Sequence, residues 1–358
     1  MKKILIINPL GIGDVIFSTP LVAEIKRAFP KSYIGYVCNK RVSELLSANP
    51  DIDKVFIYEK DEYRDMWKRS KPECLKNILK FLGTIKKERF DISIDFSLGY
   101  QYSMLCMFIG IKKRIGFNYR NRGKFLTSKV DLTSFDDKHV MEYYLDMLKL
   151  LGIKAGGVIT PKVYISGPDS EWADKTLAGY GLTAKDVVVG IICGGGASWG
   201  VDARYKRWDK NKFAALADKL IGTHGVKVVF LGDKLESVLT DDARRSMKNQ
   251  SVDLSGRTTV GQMAAIIKKC RALITNDGGP LHVAAGLGVN TVSIFGPVDE
   301  KTYGPYPKSD KHIVISKDEV KCRPCYKKFK YNKCENRVCL DSITVAEVYA
   351  AAEKALKA

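Results

Sequence analysis

Three glycine-containing turns carry the side chains best suited to chemistry, and each turn follows a short apolar run. The first is the segment NPLGIGD at residues 8–14. A dinucleotide-binding Gly-x-Gly-x-x-Gly motif would need glycine where Ile16 stands, so the sequence excludes that fingerprint. Two roles remain open for Asp14: a carboxylate that caps the following helix, or a general base that takes a proton from an acceptor hydroxyl.

The second turn, CGGGAS at residues 193–198, is followed by two basic residues. Glycines allow an anion to approach the backbone N–H groups closely, and Lys206 or Arg207 would supply the countercharge. This pattern makes Gly195, Ser198 and Lys206 candidate phosphate-binding residues. A flexible loop with solvated basic side chains is the alternative interpretation.

The third turn, TNDGGPLHVAA at residues 275–285, joins an apolar strand to a helix that proline opens. The glycines leave free N–H groups at the positive end of that helix, which suits a diphosphate. Asp277 would accept hydrogen bonds from ligand hydroxyls or from N–H groups of its own turn. The remaining candidates in this turn are Gly278, Gly279 and His282, the last of which can also be a buried structural histidine.

Strands and helices alternate along the chain, which predicts an α/β fold with parallel sheets covered on both faces. Strands are predicted at 4–7, 33–38, 55–58, 92–96, 187–193, 226–231, 272–275 and 291–295. Helices are predicted at 18–29, 72–87, 139–150, 210–222, 235–247, 260–268 and 281–288. Ligands of such sheets bind beyond the carboxyl ends of the strands, where all three glycine turns lie.

The length of 358 residues favours two domains. A polar, glycine-rich region between residues 152 and 186 separates two series of alternating elements, and we place the boundary near residue 165. The domains are therefore predicted as 1–165 and 166–358. The final helix, 344–358, begins at Thr344 with Glu347 completing a capping box, and it is a candidate for packing back on the first domain.

The composition describes a globular, strongly basic protein. The chain has 59 Lys and Arg against 40 Asp and Glu, a net charge of +19, and 45% hydrophobic residues, which excludes a disordered chain. The apolar run after Lys3 is too short for a secretion signal, and the run near 104–111 is too short to span a bilayer. A cytoplasmic location is therefore expected.

Taken together, the motifs resemble glycosyltransferase family 9, the ADP-heptose:lipopolysaccharide heptosyltransferases and their relatives. The matching residues are Gly13-Asp14, Thr19-Pro20, Lys206-x-Trp208, Gly232 with Glu236, Asp277-x-Gly279-Pro280-Leu281-His282-x-Ala284-Ala285 and Phe295-Gly296-Pro297. The resemblance covers nearly the whole chain. It implies the GT-B architecture, with two Rossmann-like, doubly wound parallel-sheet domains facing a central cleft, and an inverting, metal-independent reaction.

The resemblance also implies roles for individual residues. Asp14 would be the general base on the acceptor hydroxyl, Lys206 would contact the donor phosphates, and Glu236 would bind the donor ribose hydroxyls. The donor-site loop would include Asp277, Gly279 and His282. The chain departs from the family at Gly278, where Ser or Thr is usual, so a hydroxyl beside the phosphates is lost while the backbone N–H is kept.

The function implied by the resemblance is transfer of a sugar to a lipopolysaccharide core. The expected donor is ADP-heptose, and no further cofactor is required. Two alternatives stay open: a transferase that uses another nucleotide sugar, and a non-catalytic sugar-nucleotide-binding protein of the same fold, which the glycine at position 278 favours.

Two basic segments, 112–129 and 321–337, are interleaved with aromatic residues. A solvated basic face and a single-stranded nucleic acid site are both compatible with this pattern. No known nucleic-acid-binding motif accompanies it, so nucleic acid is not expected. We favour an anionic glycolipid acceptor at the cytoplasmic face of the inner membrane, with the protein bound peripherally. The acceptor-binding candidates are Gly13, Arg114, Arg120, Arg122 and Lys124.

Four of the nine cysteines cluster near the C-terminus, at Cys322, Cys325, Cys334 and Cys339. The first pair is spaced as in a zinc knuckle, whereas the second pair is wider than usual. A structural zinc site, reduced thiols and oxidised thiols all remain open, and the sequence prediction is a protein without a metal.

Overall fold

A computed structural model describes residues 1–157, 159–195, 197–332, 334 and 336–358, with only the backbone at positions 197 and 198. The chain forms two compact units, Met1–Tyr164 and Ile165–Ala358. Each unit is built around one six-stranded sheet.

The first unit alternates strands and helices from its first residues. Its strands are β1 (Lys3–Ile7), β2 (Tyr33–Cys38), β3 (Lys54–Ile57), β4 (Ile92–Asp95), β5 (Lys113–Tyr119) and β6 (Ser128–Leu132). Its helices are α1 (Ile12–Ala28), α2 (Lys40–Ser47), α3 (Lys60–Arg69), α4 (Lys71–Glu88), α5 (Gln101–Phe108) and α6 (Val140–Leu150). The strands are parallel and lie in the order β3-β2-β1-β4-β5-β6.

The second unit repeats this plan. Its sheet strands are β7 (Val188–Ile192), β8 (Lys227–Phe230), β9 (Val252–Asp253), β10 (Ala272–Asn276), β11 (Asn290–Ile294) and β12 (His312–Ile315). Its helices are α7 (Gly167–Gly179), α8 (Lys210–His224), α9 (Ser237–Arg245), α10 (Val260–Lys269), α11 (Gly279–Gly286), α12 (Glu300–Tyr303), α13 (Val338–Asp341) and α14 (Val345–Lys357). A 3₁₀ segment (Ala197–Lys206) and a hairpin of β13 (Tyr326–Lys327) and β14 (Lys330–Tyr331) complete it.

The predicted α/β class with doubly wound parallel sheets is confirmed. The second sheet has the order β12-β11-β10-β7-β8-β9, so in both units the chain starts at the centre, builds outwards on one side and then crosses to the other. Such a reversal of strand order creates a crevice at the carboxyl ends of the two central strands. In the two units these strands are β1 with β4 and β7 with β10.

Several elements were not predicted: strands β5, β6, β9, β12, β13 and β14, and helices α2, α3, α5, α7, α12 and α13. Strand β5 lies in the basic segment 112–129 and β6 begins at its end, and in both strands charged residues on the outer positions hide the apolar alternation. Helix α7 lies in the glycine-rich region that we interpreted as a polar linker. Its start signal is present in the sequence, because Ser166 accepts a hydrogen bond from the Asp169 N–H and Pro168 occupies the first turn.

Helix α1 begins at Ile12, six residues earlier than predicted, and continues through Pro20. Proline has no N–H to donate to the carbonyl four residues before it, which here belongs to Ile16. The Thr19 hydroxyl donates to that carbonyl at 2.8 Å and satisfies it. The helix therefore tolerates the proline.

The predicted capping box of the C-terminal helix is confirmed, since Thr344 and Glu347 satisfy each other's backbone N–H groups. We expected this helix to pack back on the first domain. Its apolar face instead lies in the core of the second unit, where Val348, Ala352 and Ala355 pack beside α8, β10, β11 and β12.

Asp95 ends strand β4 beside Ile7 of β1 and is buried. Burial raises the pKa of its carboxyl to about 6, against the opposing effect of hydrogen bonds from Ser97 and the Ser103 backbone. Sequence reasoning did not select this residue.

We predict that the stability of the protein falls as the pH rises from about 4 to about 6. The folded-state pKa of Asp95 lies above its ordinary value of 3.8, so the folded state binds this proton more tightly than the unfolded chain does. At 1.36 kcal/mol per pKa unit, the free energy of unfolding should decrease by about 3 kcal/mol across this range relative to Asp95→Asn. Urea unfolding at several pH values measures this difference. The control variant Asp136→Asn, which removes an exposed carboxylate, should show the same pH dependence of stability as the wild type. Parallel pH profiles of wild type and Asp95→Asn would contradict the prediction.

Candidate functional site

The carboxyl ends of three neighbouring strands gather most of the candidate residues of the second unit. Strands β10, β7 and β8 lie side by side and point in the same direction. The loops that leave them carry Asp277, Gly195 and Glu236 respectively. The sheet topology therefore brings together residues that are as many as 82 positions apart in the chain.

Asn276, at the end of β10, joins these loops. Its side-chain amide donates to the carbonyl of Cys193 at 2.9 Å and to that of Gly194 at 2.7 Å. Its amide oxygen accepts a hydrogen bond from the Trp208 N–H at 2.9 Å. The residue is fully buried, so each of these three bonds satisfies a group that water does not reach.

Glu236 lies against the glycine turn that follows β7. Its Oε1 accepts hydrogen bonds from the Gly195 N–H at 2.7 Å and from Arg207 Nη2 at 3.0 Å. Gly194 permits this approach, because a Cβ there would lie 2.1 Å from the Glu236 carboxyl. The N–H of Gly195, predicted to face a phosphate, is thus already used by a carboxylate.

Lys206 and Asp277 form a buried ion pair, with 2.6 Å between Lys206 Nζ and Asp277 Oδ2. The same ammonium lies 4.9 Å from the centre of the Trp199 ring, within range of a cation–π interaction. Lys206 ends the 3₁₀ segment, which Gly200 interrupts with a left-handed φ of 58°. The structure therefore holds the predicted phosphate-binding lysine between an acid and an aromatic ring.

The Trp199 ring is supported by the β13–β14 hairpin. Its centre lies 5.2 Å from that of Tyr326 and 5.0 Å from that of Tyr331, and Tyr205 lies 5.3 Å from Tyr331. This aromatic group links the C-terminal cysteine-rich segment to the residue that contacts Lys206.

Helix α11 starts beside the ion pair. Gly278 is its N-cap and has an extended backbone, with a φ of 168°, that any residue can adopt, so the departure from Ser or Thr is not required by the backbone. Gly279 and Pro280 follow in the first turn, and His282 is buried further along the helix. The predicted contact of Ser198 lies outside the described residues, since only the backbone is described there.

Asp14 lies in the first unit, on the third residue of α1. The N-cap of this helix is Gly11, so the capping interpretation of Asp14 is wrong. The Tyr144 hydroxyl donates to Asp14 Oδ1 at 3.4 Å, and Asn8 Nδ2 donates to the Asp14 carbonyl at 3.1 Å. Asn39 fixes the same turn by donating to the Leu10 carbonyl at 2.6 Å. The half-buried carboxylate is thus held at the carboxyl end of β1.

Of the basic acceptor candidates, Arg114 contacts backbone carbonyls. Its guanidinium donates to the carbonyls of Phe125 and Ile111, both at 2.6 Å, and so attaches β5 to the neighbouring loops. These bonds use Nε and Nη1 of the guanidinium, and a role of Arg114 in acceptor binding stays a prediction. Arg120, Arg122 and Lys124 are exposed and follow β5 at the sheet edge where the Asp14 turn also lies. Gly13 lies in the first turn of α1.

All nine cysteines are free thiols. Burial, reinforced by the neighbouring Cys322, raises the pKa of Cys325 to about 11, which favours its protonated form at neutral pH. The Cys325 thiol donates to the Cys322 carbonyl at 3.1 Å, and that of Cys334 donates to the Asn336 carbonyl at 3.0 Å. Among the described residues, no three His, Cys, Asp or Glu side chains are arranged to hold a metal ion.

Four residues that shape these sites were not selected from the sequence: Asn8, Tyr144, Trp199 and Asn276. Asn8 directly follows β1 and Asn276 ends β10, each at the start of a predicted glycine turn, and this position was a readable signal. Tyr144 and Trp199 act through contacts with residues far away in the chain, for which local sequence carries no signal.

Comparisons with known proteins agree on one family. The family model described as glycosyltransferase family 9 (heptosyltransferase) matches residues 78–335. A lipooligosaccharide heptosyltransferase 2 from Haemophilus ducreyi is 26% identical over 329 residues, covering 87% of this chain and 88% of the relative. A lipopolysaccharide heptosyltransferase 3 from Escherichia coli is 22% identical over 353 residues, covering 96% of each chain.

Solved structures confirm the predicted GT-B fold class. A family 9 glycosyltransferase from Veillonella parvula superposes with a TM-score of 0.82 at 25% identity, covering 99% of this chain and 97% of the other. An ADP-heptose lipopolysaccharide heptosyltransferase II from E. coli superposes with a TM-score of 0.78 at 22% identity, covering 100% and 99%.

We predict that Gly194→Ala destabilises the second unit by about 1–3 kcal/mol, because the added Cβ displaces Glu236 from Gly195 and Arg207 and leaves buried polar groups unpaired. Urea unfolding measures the change. Gly222→Ala is the matched control, since a Cβ at that position in α8 meets nothing within 4 Å and alanine is the better helix former. Equal stability of Gly194→Ala and wild type would contradict the prediction.

Proposed function

Because the chain belongs to glycosyltransferase family 9, we propose that it transfers a heptose from ADP-heptose to a lipopolysaccharide core, with inversion at the anomeric carbon and with Asp14 as the general base. The observation that carries the proposal is the convergence of Lys206, Glu236 and Asp277 at one end of the second sheet. The relatives named above supply the sugar and the acceptor class.

We propose that the second unit binds the donor. The diphosphate lies between Lys206 and the first turn of α11, where the N–H groups at Gly278 and Gly279 face an anion. The ribose hydroxyls bind to Glu236, whose carboxylate lies against the backbone of the Gly194 turn. Positive charge at Lys206 and the helix dipole stabilise the negative charge that develops on the leaving diphosphate.

We propose that the first unit binds the acceptor. The acceptor hydroxyl oxygen attacks the anomeric carbon while the bond from that carbon to the β-phosphate oxygen breaks, and Asp14 takes the hydroxyl proton. Tyr144 orients the carboxylate, and the Gly13 turn leaves space for the acceptor. Arg120, Arg122 and Lys124 suit the anionic groups of a glycolipid.

In this proposal the leaving group is stabilised by Lys206 and α11, so the reaction requires no metal or further cofactor. The protein acts in the cytoplasm, at the inner face of the cytoplasmic membrane, where a lipid-linked acceptor is available. Among the described residues, no helix has both the length and the apolar character needed to cross a membrane.

We predict selective binding of ADP over UDP and GDP, measured by calorimetric titration. Lys206→Ala and Glu236→Ala should each weaken ADP binding at least tenfold, because the first removes the phosphate cation and the second the ribose acceptor. Lys210→Ala is the control, because Lys210 begins α8 and its ammonium pairs with Asp242 rather than with a residue of the site. Selectivity for UDP or GDP would replace the donor in the proposal, and no nucleotide binding would contradict it.

We predict that Asp14→Asn lowers the rate of heptose transfer by about 10²–10⁴-fold, the usual contribution of a general base, while ADP affinity and thermal stability stay unchanged. The measurement is steady-state transfer to a purified core oligosaccharide. Asp136→Asn, an exposed carboxylate of the same unit, should keep wild-type turnover. Undiminished turnover of Asp14→Asn would remove Asp14 as the base. If the wild-type protein binds ADP-heptose but transfers it to no acceptor, the non-catalytic alternative holds.

A further inference from the structure

Helices α4 and α5 form one layer on a single face of the first sheet. Their inner side belongs to a core cluster in which Ile85 of α4 and Cys106 of α5 pack with Leu5 of β1. Phe81 and Tyr102, one from each helix, both contact the Tyr58 ring, at 5.3 and 5.6 Å between centres. The opposite side of this layer therefore faces away from the core of its unit.

That outer side carries several large apolar side chains that are exposed. Leu75 and Leu79, one turn apart on α4, are 49% and 65% exposed, and Met107 and Phe108 of α5 are 37% and 67% exposed. Trp67 of α3, which packs against α4, is 45% exposed. We call these five residues the α3–α5 outer surface. Large apolar side chains that are exposed on one side of a helical layer are typical of a surface that contacts a protein or a membrane.

The charge around this surface is strongly positive. Residues 60–89 contain ten Lys and Arg against five Asp and Glu. On α4, Lys76, Lys80, Lys86 and Lys87 are exposed. Within the described part of the chain, none of these four lysines forms an ion pair with a carboxylate. Lysines with unpaired ammonium groups next to exposed leucines match the headgroup and acyl layers of an anionic lipid surface.

A basic cleft lies beside the C-terminal ends of α4 and α5. It has a volume of about 600 Å³, and its lining includes Lys86, Arg89, Lys112 and Lys113 together with the apolar Ile85 and Ile109. Positive side chains above an apolar floor suit a phosphate-bearing headgroup and the start of its acyl chain. The cleft and the α3–α5 outer surface thus favour the same partner.

We propose that the α3–α5 outer surface docks on an anionic phospholipid bilayer. Leu75, Leu79 and Phe108 enter the interface, Trp67 lies at headgroup level, and the α4 lysines contact lipid phosphates. This inference deepens the proposed function, since it names the surface by which the enzyme reaches a lipid-linked acceptor. It does not depend on Asp14 or on the donor site.

The test is co-sedimentation of the full chain with vesicles of phosphatidylethanolamine and phosphatidylglycerol, compared with neutral phosphatidylcholine vesicles. We expect binding to the anionic vesicles that weakens at least tenfold when salt is raised from about 50 to about 500 mM, because screening reduces the lysine contribution. Leu79→Glu, Phe108→Glu and the double variant Lys76→Glu/Lys80→Glu should each reduce binding at least tenfold. Val238→Glu is the matched control, since Val238 of α9 is 63% exposed in the other unit.

A second readout locates the contact. Addition of anionic vesicles should shift tryptophan fluorescence to shorter wavelength, and Trp67→Phe should abolish most of the shift while binding persists. Variants with wild-type thermal unfolding are the ones compared, and Leu79→Ser replaces Leu79→Glu if the latter unfolds early. Failure of the wild type to bind anionic vesicles would overturn the proposal, as would wild-type binding by both Leu79→Glu and Phe108→Glu.

Substrate assays separate this inference from the proposed function. The docking variants should transfer sugar to a lipid-free core oligosaccharide at the wild-type rate and lose activity only on acceptor embedded in vesicles. Loss of both activities in folded docking variants would place these residues in the acceptor site and overturn the docking role. Vesicle binding by a wild-type protein that transfers no sugar would leave the docking surface intact and remove the proposed function.

Discussion

The arrangement of the second unit depends on one buried amide. Asn276 satisfies two carbonyls of the loop after β7 and one N–H of the segment after the 3₁₀ region. A side chain with two donors and an acceptor can do this only if β10 lies directly beside β7, as the pairing of Thr275 with Ile192 places it. Leaving any of the three partners unpaired in the core would cost about 1–3 kcal/mol. The strand order and the loop positions therefore stabilise each other.

The net charge of +19 is distributed between two environments. In the second unit, Lys206 and Arg207 each contact a buried carboxylate, at 2.6 and 3.0 Å, and so hold the loops together. In the first unit, Arg120, Arg122 and the α4 lysines extend into solvent. Buried pairs are specific in geometry, whereas solvated charges act over a Debye length of about 8 Å and suit extended anionic surfaces. Composition alone did not distinguish these two uses.

Local patterns were sufficient for most of the fold. Buried strands such as β1, β7 and β10 were predicted within one or two residues, because each is a short apolar run rich in Ile, Val or Leu that leads into a glycine-containing turn. Strand β5 was missed since its outward basic residues resemble a surface segment. The hydrogen bonds from Arg114 to backbone carbonyls could not be predicted from the sequence. The glycine turns could be located from sequence, but their side-chain partners could not. Tyr144 lies 130 residues from Asp14, and no local rule relates them.

The pairing of Lys206 with Asp277 bears on how a nucleotide would enter and leave. A lone buried ammonium would bind a diphosphate very tightly and release it slowly. Here the cation already has an anionic partner, so an arriving diphosphate would compete with Asp277 rather than fill an empty position. In the proposed reaction, Asp277 would recapture the ammonium after the sugar has left and would displace the spent nucleotide. Asp277, as a built-in counter-ion, would thereby lower the affinity for the nucleotide, speed turnover and weaken inhibition by the product.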